Sequence, residues 1–263
     1  MKRIAATFAL LLASAPALAA MQARPVEWTL DGATFQGVLV YDDAGAKRPG
    51  LVMVPDWKGV TDNAIAKARH VAGDDYVVLV ADVYGKGVRP RDDAEAMAQV
   101  KKLYADRGTL RARAAKALEV LKAQADSAPL DPAKLGAIGY CFGGATVLEL
   151  ARAGADLAAV VTFHGGLNTD MPAKPGAVKA SLLVLNGADD KGTAGDVAGF
   201  QQEMDVAGAD WTFVDFGGAV HCFALPEANK PPGCVYDERA TRRGERMMHG
   251  FLGERFAKET SAP

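Results

Sequence analysis

Apolar and polar positions follow distinct periods along this chain, and each period predicts its own kind of element. Residues 26–40, VEWTLDGATFQGVLV, hold two short strand-like runs around Asp31-Gly32, a favourable turn pair, and predict a hairpin. Residues 44–50 read as a loop. LVMVP (51–55) is a continuous apolar run, which suits a strand buried on both faces of a parallel sheet, and YVVLVADVYG (76–85) repeats the pattern. Between them, 61–73 has helical spacing. Residues 92–127 predict two helices separated near Gly108, with Leu110, Ala114, Leu118 and Leu121 on the apolar face of the second. Further strands are predicted at 135–140, 157–164, 178–190 with its exit loop, and 211–216. Helices are predicted after residue 143, over 193–209 and over 237–256. Alternation of five or six buried strands with helices predicts an α/β fold: a three-layer α/β/α sandwich with a mostly parallel central sheet. No linker divides it, so 21–263 reads as one domain, with its site at the C-terminal ends of the strands.

Bulk composition narrows the function classes. The chain has 263 residues, 49% hydrophobic and 24% charged, an ordinary globular profile. Thirty basic residues face 32 acidic ones, for a net charge of -2, so nothing attracts a phosphate backbone and nucleic acid is not an expected partner. Residues 1–20 behave differently. Lys2 and Arg3 precede an apolar segment that ends in ALA at 17–19, the three-part pattern of a secretory signal peptide. Cleavage after Ala19 or Ala20 would deliver the mature chain to the periplasm or beyond, with no membrane attachment. No later stretch has the length and apolarity of a span.

Three cysteines follow: Cys141, Cys222 and Cys234. An odd count leaves at least one thiol free or paired elsewhere. Cys222 and Cys234, twelve apart, suit a disulfide in an oxidising compartment, and suit two unpaired thiols equally well. The four histidines show no zinc spacing, and no metal or cofactor is expected.

Cys141 stands in GYCFG (139–143), a G-x-C-x-G stretch between a predicted strand and a predicted helix. That context matches a nucleophile elbow, where a sharp turn lifts the middle side chain above the sheet. The helix N-terminus favours a thiolate, and the Phe142 amide can donate to an oxyanion. Plain burial is the competing reading, since cysteine is often simply core. An acid and a base at later strand ends decide between them. LNGADD supplies Asp189 and Asp190, and HCF supplies His221, in the chain order Cys, Asp, His. Asp190 is preferred, because Gly187 can bend before presenting the fourth residue of G-x-x-D. Asp56 also follows a strand, as a second acid at the site or as a solvated loop carboxylate.

Taken together, PGLVMVPDWKGVTD, VADVYGKG, GYCFGG, FHGGL, LNGADD, HCFALPEA and the tail YDERATRRGERMMHGFL resemble the dienelactone hydrolases, of the α/β-hydrolase superfamily, from about Pro49 to Phe256. The resemblance implies an α/β-hydrolase fold and a Cys141–His221–Asp190 triad acting on a small ester or lactone through a thioester. It implies that Asp56 occupies the place of a family glutamate that interacts with the resting thiol and takes part in its activation. It gives the Trp57 amide as a second oxyanion donor beside that of Phe142. The side chains of Trp57 and Phe142 read either as pocket walls or as core, and His164 reads as structural. Family members that cleave dienelactones grip a substrate carboxylate with arginines. Leu225 stands at one such place, and Lys86 and Arg89 lie near the other. A broad thiol carboxylesterase without dienelactone activity, and a non-catalytic small-molecule-binding protein of the same fold, are the alternatives. A monomer is expected.

Overall fold

The computed structural model describes residues 20–257. The expected signal peptide, all but its last residue, lies outside the described residues. Strands β1 (Met21–Leu30) and β2 (Ala33–Asp42) form the predicted hairpin. Asp31 and Gly32 turn at φ 48° and 75°, and two positive φ values in a two-residue loop match the right-handed twist of the strands. The hairpin docks antiparallel on β4 (Val77–Val80). From there β3 (Arg48–Val54), β5 (Leu130–Tyr140), β6 (Ala159–Phe163), β7 (Ser181–Gly187) and β8 (Trp211–Phe216) continue in parallel, in the order β1-β2-β4-β3-β5-β6-β7-β8. The six parallel strands are the apolar runs of the sequence.

Alternating side chains on these strands feed two cores. Leu51 and Met53 join one with helices α1 (Asp62–Ala72) and α6 (Glu238–Ala257). Val52 and Val54 join the other with α2 (Asp93–Tyr104), α3 (Arg107–Lys122), α4 (Phe142–Arg152) and α5 (Val197–Ala207). The three-layer sandwich of the α/β-hydrolases is therefore in place.

The boundaries depart from the periodic reading for local reasons. The break between α2 and α3 falls before Gly108, because the Asp106 carboxylate accepts from the Thr109 amide at 3.0 Å and caps α3. Strand β4 stops at Val80 rather than reaching residue 85. Asp82 turns the chain there, accepting from the amides of Tyr84 (3.0 Å) and Gly85 (2.9 Å) and from Gln36 across the sheet (3.1 Å). Strand β5 starts five residues early, at Leu130. Its register with β3 jumps from Asp131 to Leu135, which places Pro132, lacking an amide hydrogen, where no ladder bond is needed. A two-residue pair, β9 (Asn229–Lys230) and β10 (Cys234–Val235), is too short to leave a periodic signal.

Helix α4 follows the candidate nucleophile and is anchored from within. Glu149 is fully buried and meets three arginines: Arg111 of α3 at 2.7 Å, its own helix's Arg152 at 3.1 Å and Arg107 at 3.5 Å. Arg152 passes the link to Glu203 of α5 at 2.8 Å. Removing one member of a buried ionic cluster strands the others. Glu149→Gln is therefore expected to lower unfolding free energy by about 3–5 kcal/mol in urea titrations. A loss below about 1 kcal/mol would show that the cluster contributes no more than a surface pair does.

Candidate active site

Strand β5 runs straight into α4, and the single residue between them is Cys141. Its backbone sits at φ 53° and ψ −117°, where a residue with a Cβ is strained. Tight packing leaves no other path. A Cβ on Gly139 would overlap the Gly143 carbonyl, and one on Gly143 would overlap the carbonyls of Val54 and Pro55. The Cys141 amide is held by the Phe163 carbonyl at 3.0 Å. The sulfur thus rises at the C-terminal edge of the sheet, partly exposed.

Two further strand ends complete a line. Asp190 follows β7 in a turn closed by its own amide on the Gly187 carbonyl at 3.0 Å. His221 follows β8. Cys141 Sγ lies 3.0 Å from His221 Nε2, and His221 Nδ1 donates to Asp190 Oδ2 at 2.7 Å. The other oxygen of Asp190 accepts from the Gly192 amide at 2.8 Å. Asp190 is buried while Asp189 is exposed, which settles the choice between them.

Electrostatics set the proton inventory. Burial works against a charged His221, but the hydrogen bonds to Asp190 and Cys141 and the charges of both partners outweigh it and raise the pKa to about 10. Burial would raise the Asp190 value, yet His221 and the Gly192 amide hold it below the usual carboxylate range. The arrangement favours a charged imidazole over a neutral one.

His164 stands behind this line, fully buried at the end of β6, with its ring edge-on to His221 at 5.2 Å between centroids. Burial first, then the cationic His221 and Lys67, push its pKa far below normal, so it stays neutral and adds no repelling charge. Its packing on Phe223 at 5.1 Å fits the structural role expected of it.

The loop that carries His221 is stapled. Cys222 and Cys234 form a disulfide, with Cα atoms 5.0 Å apart, and Cys141 is the free thiol. The Val235 amide donates to the His221 carbonyl at 3.1 Å, so the β9–β10 pair is bound to the histidine's backbone and to the sulfur of its neighbour Cys222.

Asp56 and Trp57 lie just past β3, where Val54 and Pro55 press on Gly143 of the elbow. The Asp56 carboxylate accepts from the Lys58 amide at 2.7 Å. The Trp57 carbonyl accepts from the Tyr84 hydroxyl at 3.0 Å, and the Tyr84 ring stacks on Phe142 at 5.5 Å. The Phe142 side chain is buried against Tyr84 and Tyr104 and is core rather than pocket wall, whereas Trp57 is half-exposed. The Phe142 amide opens α4, in the first turn, whose amides have no carbonyl partner within the helix.

Neither residue considered as an anion clamp is free for it. Arg89 binds the carbonyls of Val88 (2.9 Å) and Gln36 (3.1 Å) and lies 3.6 Å from Asp82. Lys86 pairs with Glu27 at 2.8 Å. Leu225 is buried. Sequence reasoning missed Tyr84 and a clasp over Trp57. In that clasp Asp93 pairs with both Lys58 and Lys230, whose ammonium groups lie 5.3 and 6.0 Å from the Trp57 ring centre. Tyr84 sits just past an apolar run, the signal that could have found it. The clasp joins three remote segments and leaves no local signal.

The sequence profile of the dienelactone hydrolase family matches residues 35–256. Among solved structures, the protein named m3DLH is 34% identical, with a TM-score of 0.84, over 90% of this chain and 99% of that one. A dienelactone hydrolase-like promiscuous phosphotriesterase from metagenomic libraries is 37% identical, with a TM-score of 0.82, over 90% of this chain and all of that one. An uncharacterised Caenorhabditis elegans protein, K02A2.1, is 37% identical over 157 residues, covering 57% of this chain and 96% of that protein.

The raised His221 value carries a sign. Its ion pair stabilises the fold fully below the ordinary value of 6.5, and that contribution fades as pH rises through about 10. For an ester of an unactivated alcohol, kcat/KM is expected to fall through the same range, as the proton needed by the departing alkoxide is lost. A profile flat to pH 11 would refute this assignment. For the staple, Cys222→Ser/Cys234→Ser is expected to cost about 2–4 kcal/mol in stability and to lower kcat more than it raises KM. Unchanged turnover in the double variant would show that the disulfide does not position His221.

Proposed function

The chain belongs to the dienelactone hydrolase family, and from that premise we propose that it hydrolyses a small lactone or activated carboxylic ester through a covalent thioester on Cys141. The observation that carries the reading is the unbroken line from Sγ to Nε2 (3.0 Å) and from Nδ1 to the buried Asp190 carboxylate (2.7 Å). The sulfur attacks the acyl carbon and forms the S–C bond. Charge moves onto the carbonyl oxygen, which the amides of Trp57 and Phe142 receive. The C–O bond then breaks, and His221 Nε2 gives its proton to the departing oxygen. In the second half His221 takes a proton from water, the hydroxide attacks the thioester, and the S–C bond breaks to release the acid. Asp190 fixes the imidazole tautomer throughout.

Within that chemistry, a specific observation favours a thiol carboxylesterase of broader scope over a dedicated dienelactone hydrolase. Leu225 is buried and Arg89 and Lys86 are committed elsewhere, so they supply no guanidinium fork for a substrate carboxylate. The phosphotriesterase relative makes a phosphotriester a useful third substrate. Export to an oxidising compartment is supported by the N-terminal pattern and by the Cys222–Cys234 bond. A monomer is the working state, which size-exclusion chromatography tests.

The test assays mature protein on p-nitrophenyl acetate, a dienelactone and a p-nitrophenyl phosphotriester, with and without reductant, beside Cys141→Ala and Cys141→Ser. Turnover of the carboxylic substrates by wild type, with a loss on the order of 10³-fold or more in Cys141→Ala, is expected. The acetate-to-dienelactone ratio sorts the two readings. Reduced wild type no faster than Cys141→Ala on either carboxylic substrate would remove the hydrolase reading and bring a binding role forward.

A further inference from the structure

The resemblance gives Asp56 a part in activating the thiol, but its contacts describe another task. Its Oδ1 accepts from the amide of Lys58, two residues on, at 2.7 Å. Its carbonyl accepts from the Gly59 amide at 3.0 Å. An aspartate that hydrogen-bonds the backbone two residues ahead closes an Asx turn. Asparagine can close the same ring, whereas glutamate carries one methylene too many and alanine has no acceptor. Trp57 is the residue enclosed by that turn.

Two further contacts fix where the turn sits. The carbonyls of Val54 and Pro55 pack on Gly143 in the first turn of α4. The Tyr84 hydroxyl holds the Trp57 carbonyl at 3.0 Å while its ring stacks on Phe142, the residue after the nucleophile. The charged groups that act on the Asp56 carboxyl are Glu227, Lys67 and Lys58. Asp56 shares a small cavity with Met53, Lys67, Tyr140, Leu225 and Glu227. Lys67 is itself held by the Ala224 carbonyl at 2.7 Å and lies over the Tyr140 ring.

We propose that Asp56 is a positioning residue: its carboxylate closes the turn that aims the Trp57 amide at the substrate carbonyl oxygen, and it takes no part in activating Cys141. Tyr84 is the second bracket of the same turn. The inference rests on the reading of the Trp57 amide as an oxyanion donor. It makes the aspartate a matter of shape at this position: an acceptor oxygen at the right reach is required, and a negative charge is not.

Two reactions of the same sulfur separate the roles. Acylation by p-nitrophenyl acetate forms the S–C bond, places charge on the carbonyl oxygen and then expels nitrophenolate with its electron pair. Alkylation by iodoacetamide forms an S–CH₂ bond as iodide leaves, and no oxyanion arises at the reacting carbon. Both rates are measured across pH for wild type, Asp56→Ala, Asp56→Asn, Asp56→Glu and Tyr84→Phe, with thermal unfolding alongside. Acylation is expected to fall on the order of 10- to 100-fold in Asp56→Ala, Asp56→Glu and Tyr84→Phe, with rescue to within about threefold in Asp56→Asn. Alkylation rates and their pH profiles are expected to match wild type in all four. Asparagine as damaging as alanine, or an alkylation profile displaced in the Asp56 variants, would overturn the inference and return the carboxylate to the thiol. Full acylation in Asp56→Ala would overturn it as well, since the turn would then hold without its acceptor. Wild type that does not acylate at all would refute the proposed hydrolase itself, an outcome visible before any variant is compared.

Discussion

Cys141 holds a backbone conformation that costs a non-glycine residue about 1–3 kcal/mol, and the surrounding packing exists in the form that keeps it there. Gly139 and Gly143 bring the end of β5, the start of α4 and the carbonyls at the end of β3 closer together than any Cβ would permit. Relaxing the elbow would require these backbones to separate. They are held by the sheet on one side and by the Glu149–arginine cluster inside α4 on the other. The strain therefore places the sulfur, and the same packing holds Val54 and Pro55, from which the Asp56–Gly59 turn follows, against the helix N-terminus. The nucleophile and the two amides proposed as oxyanion donors share one local geometry, because a single close approach brings their backbones together.

From that fixed point the remaining parts need only reach it. Asp190 and His221 come from the next strand ends along the sheet edge, each on its own turn, and the disulfide with the β9–β10 pair closes the longer of the two loops. The half-buried setting strengthens their coupling, and it also makes a stray charge expensive. His164 illustrates the second point. A protonated imidazole at 5.2 Å would oppose the His221 cation, and complete burial keeps it neutral. His164 thus adds no opposing charge beside His221.

The parallel strands and the triad were legible in the sequence because both are written locally. Buried strands are continuous apolar runs, and the elbow is a five-residue pattern with glycines at fixed offsets. Asp190, ahead of its neighbour Asp189, followed from the bend at Gly187. Less legible was whatever depends on a side chain reaching across the fold. Asp82 ends β4 by bonding to Gln36, 46 residues earlier in the chain. The Tyr84 hydroxyl finds a carbonyl 27 residues away, and Asp93 meets Lys230 across 137 residues. The disulfide is not written locally either: a spacing of twelve suits paired and unpaired thiols alike, and the bond depends on the fold bringing the two Cα atoms to 5.0 Å. Asp56 was visible as an acid beside the site, but its two-residue reach to Lys58 depends on loop geometry that hydrophobic periodicity does not encode.

The His221 proton ties these parts to the order of events. Its raised pKa has two supporting partners, Asp190 and the Cys141 sulfur. In the free enzyme both act, so the imidazolium is ready to protonate an alkoxide, whose basicity far exceeds its own. Once the sulfur is acylated it no longer offers Nε2 the same hydrogen-bond partner. Burial then opposes the charged ring with only Asp190 to resist it, which shifts the balance toward the neutral form. A neutral imidazole next to a thioester is the base that water requires. One residue can therefore serve as acid in the first half and base in the second, because the substrate's own acyl group removes part of the field that held the proton. The tetrahedral intermediate adds a constraint of its own: it sheds whichever group leaves more readily. A thiolate departs ahead of an unassisted alkoxide, so acylation moves forward when the oxygen is protonated by His221 or is already stabilised as an enolate or phenolate. Lactones of enols and aryl esters meet that condition.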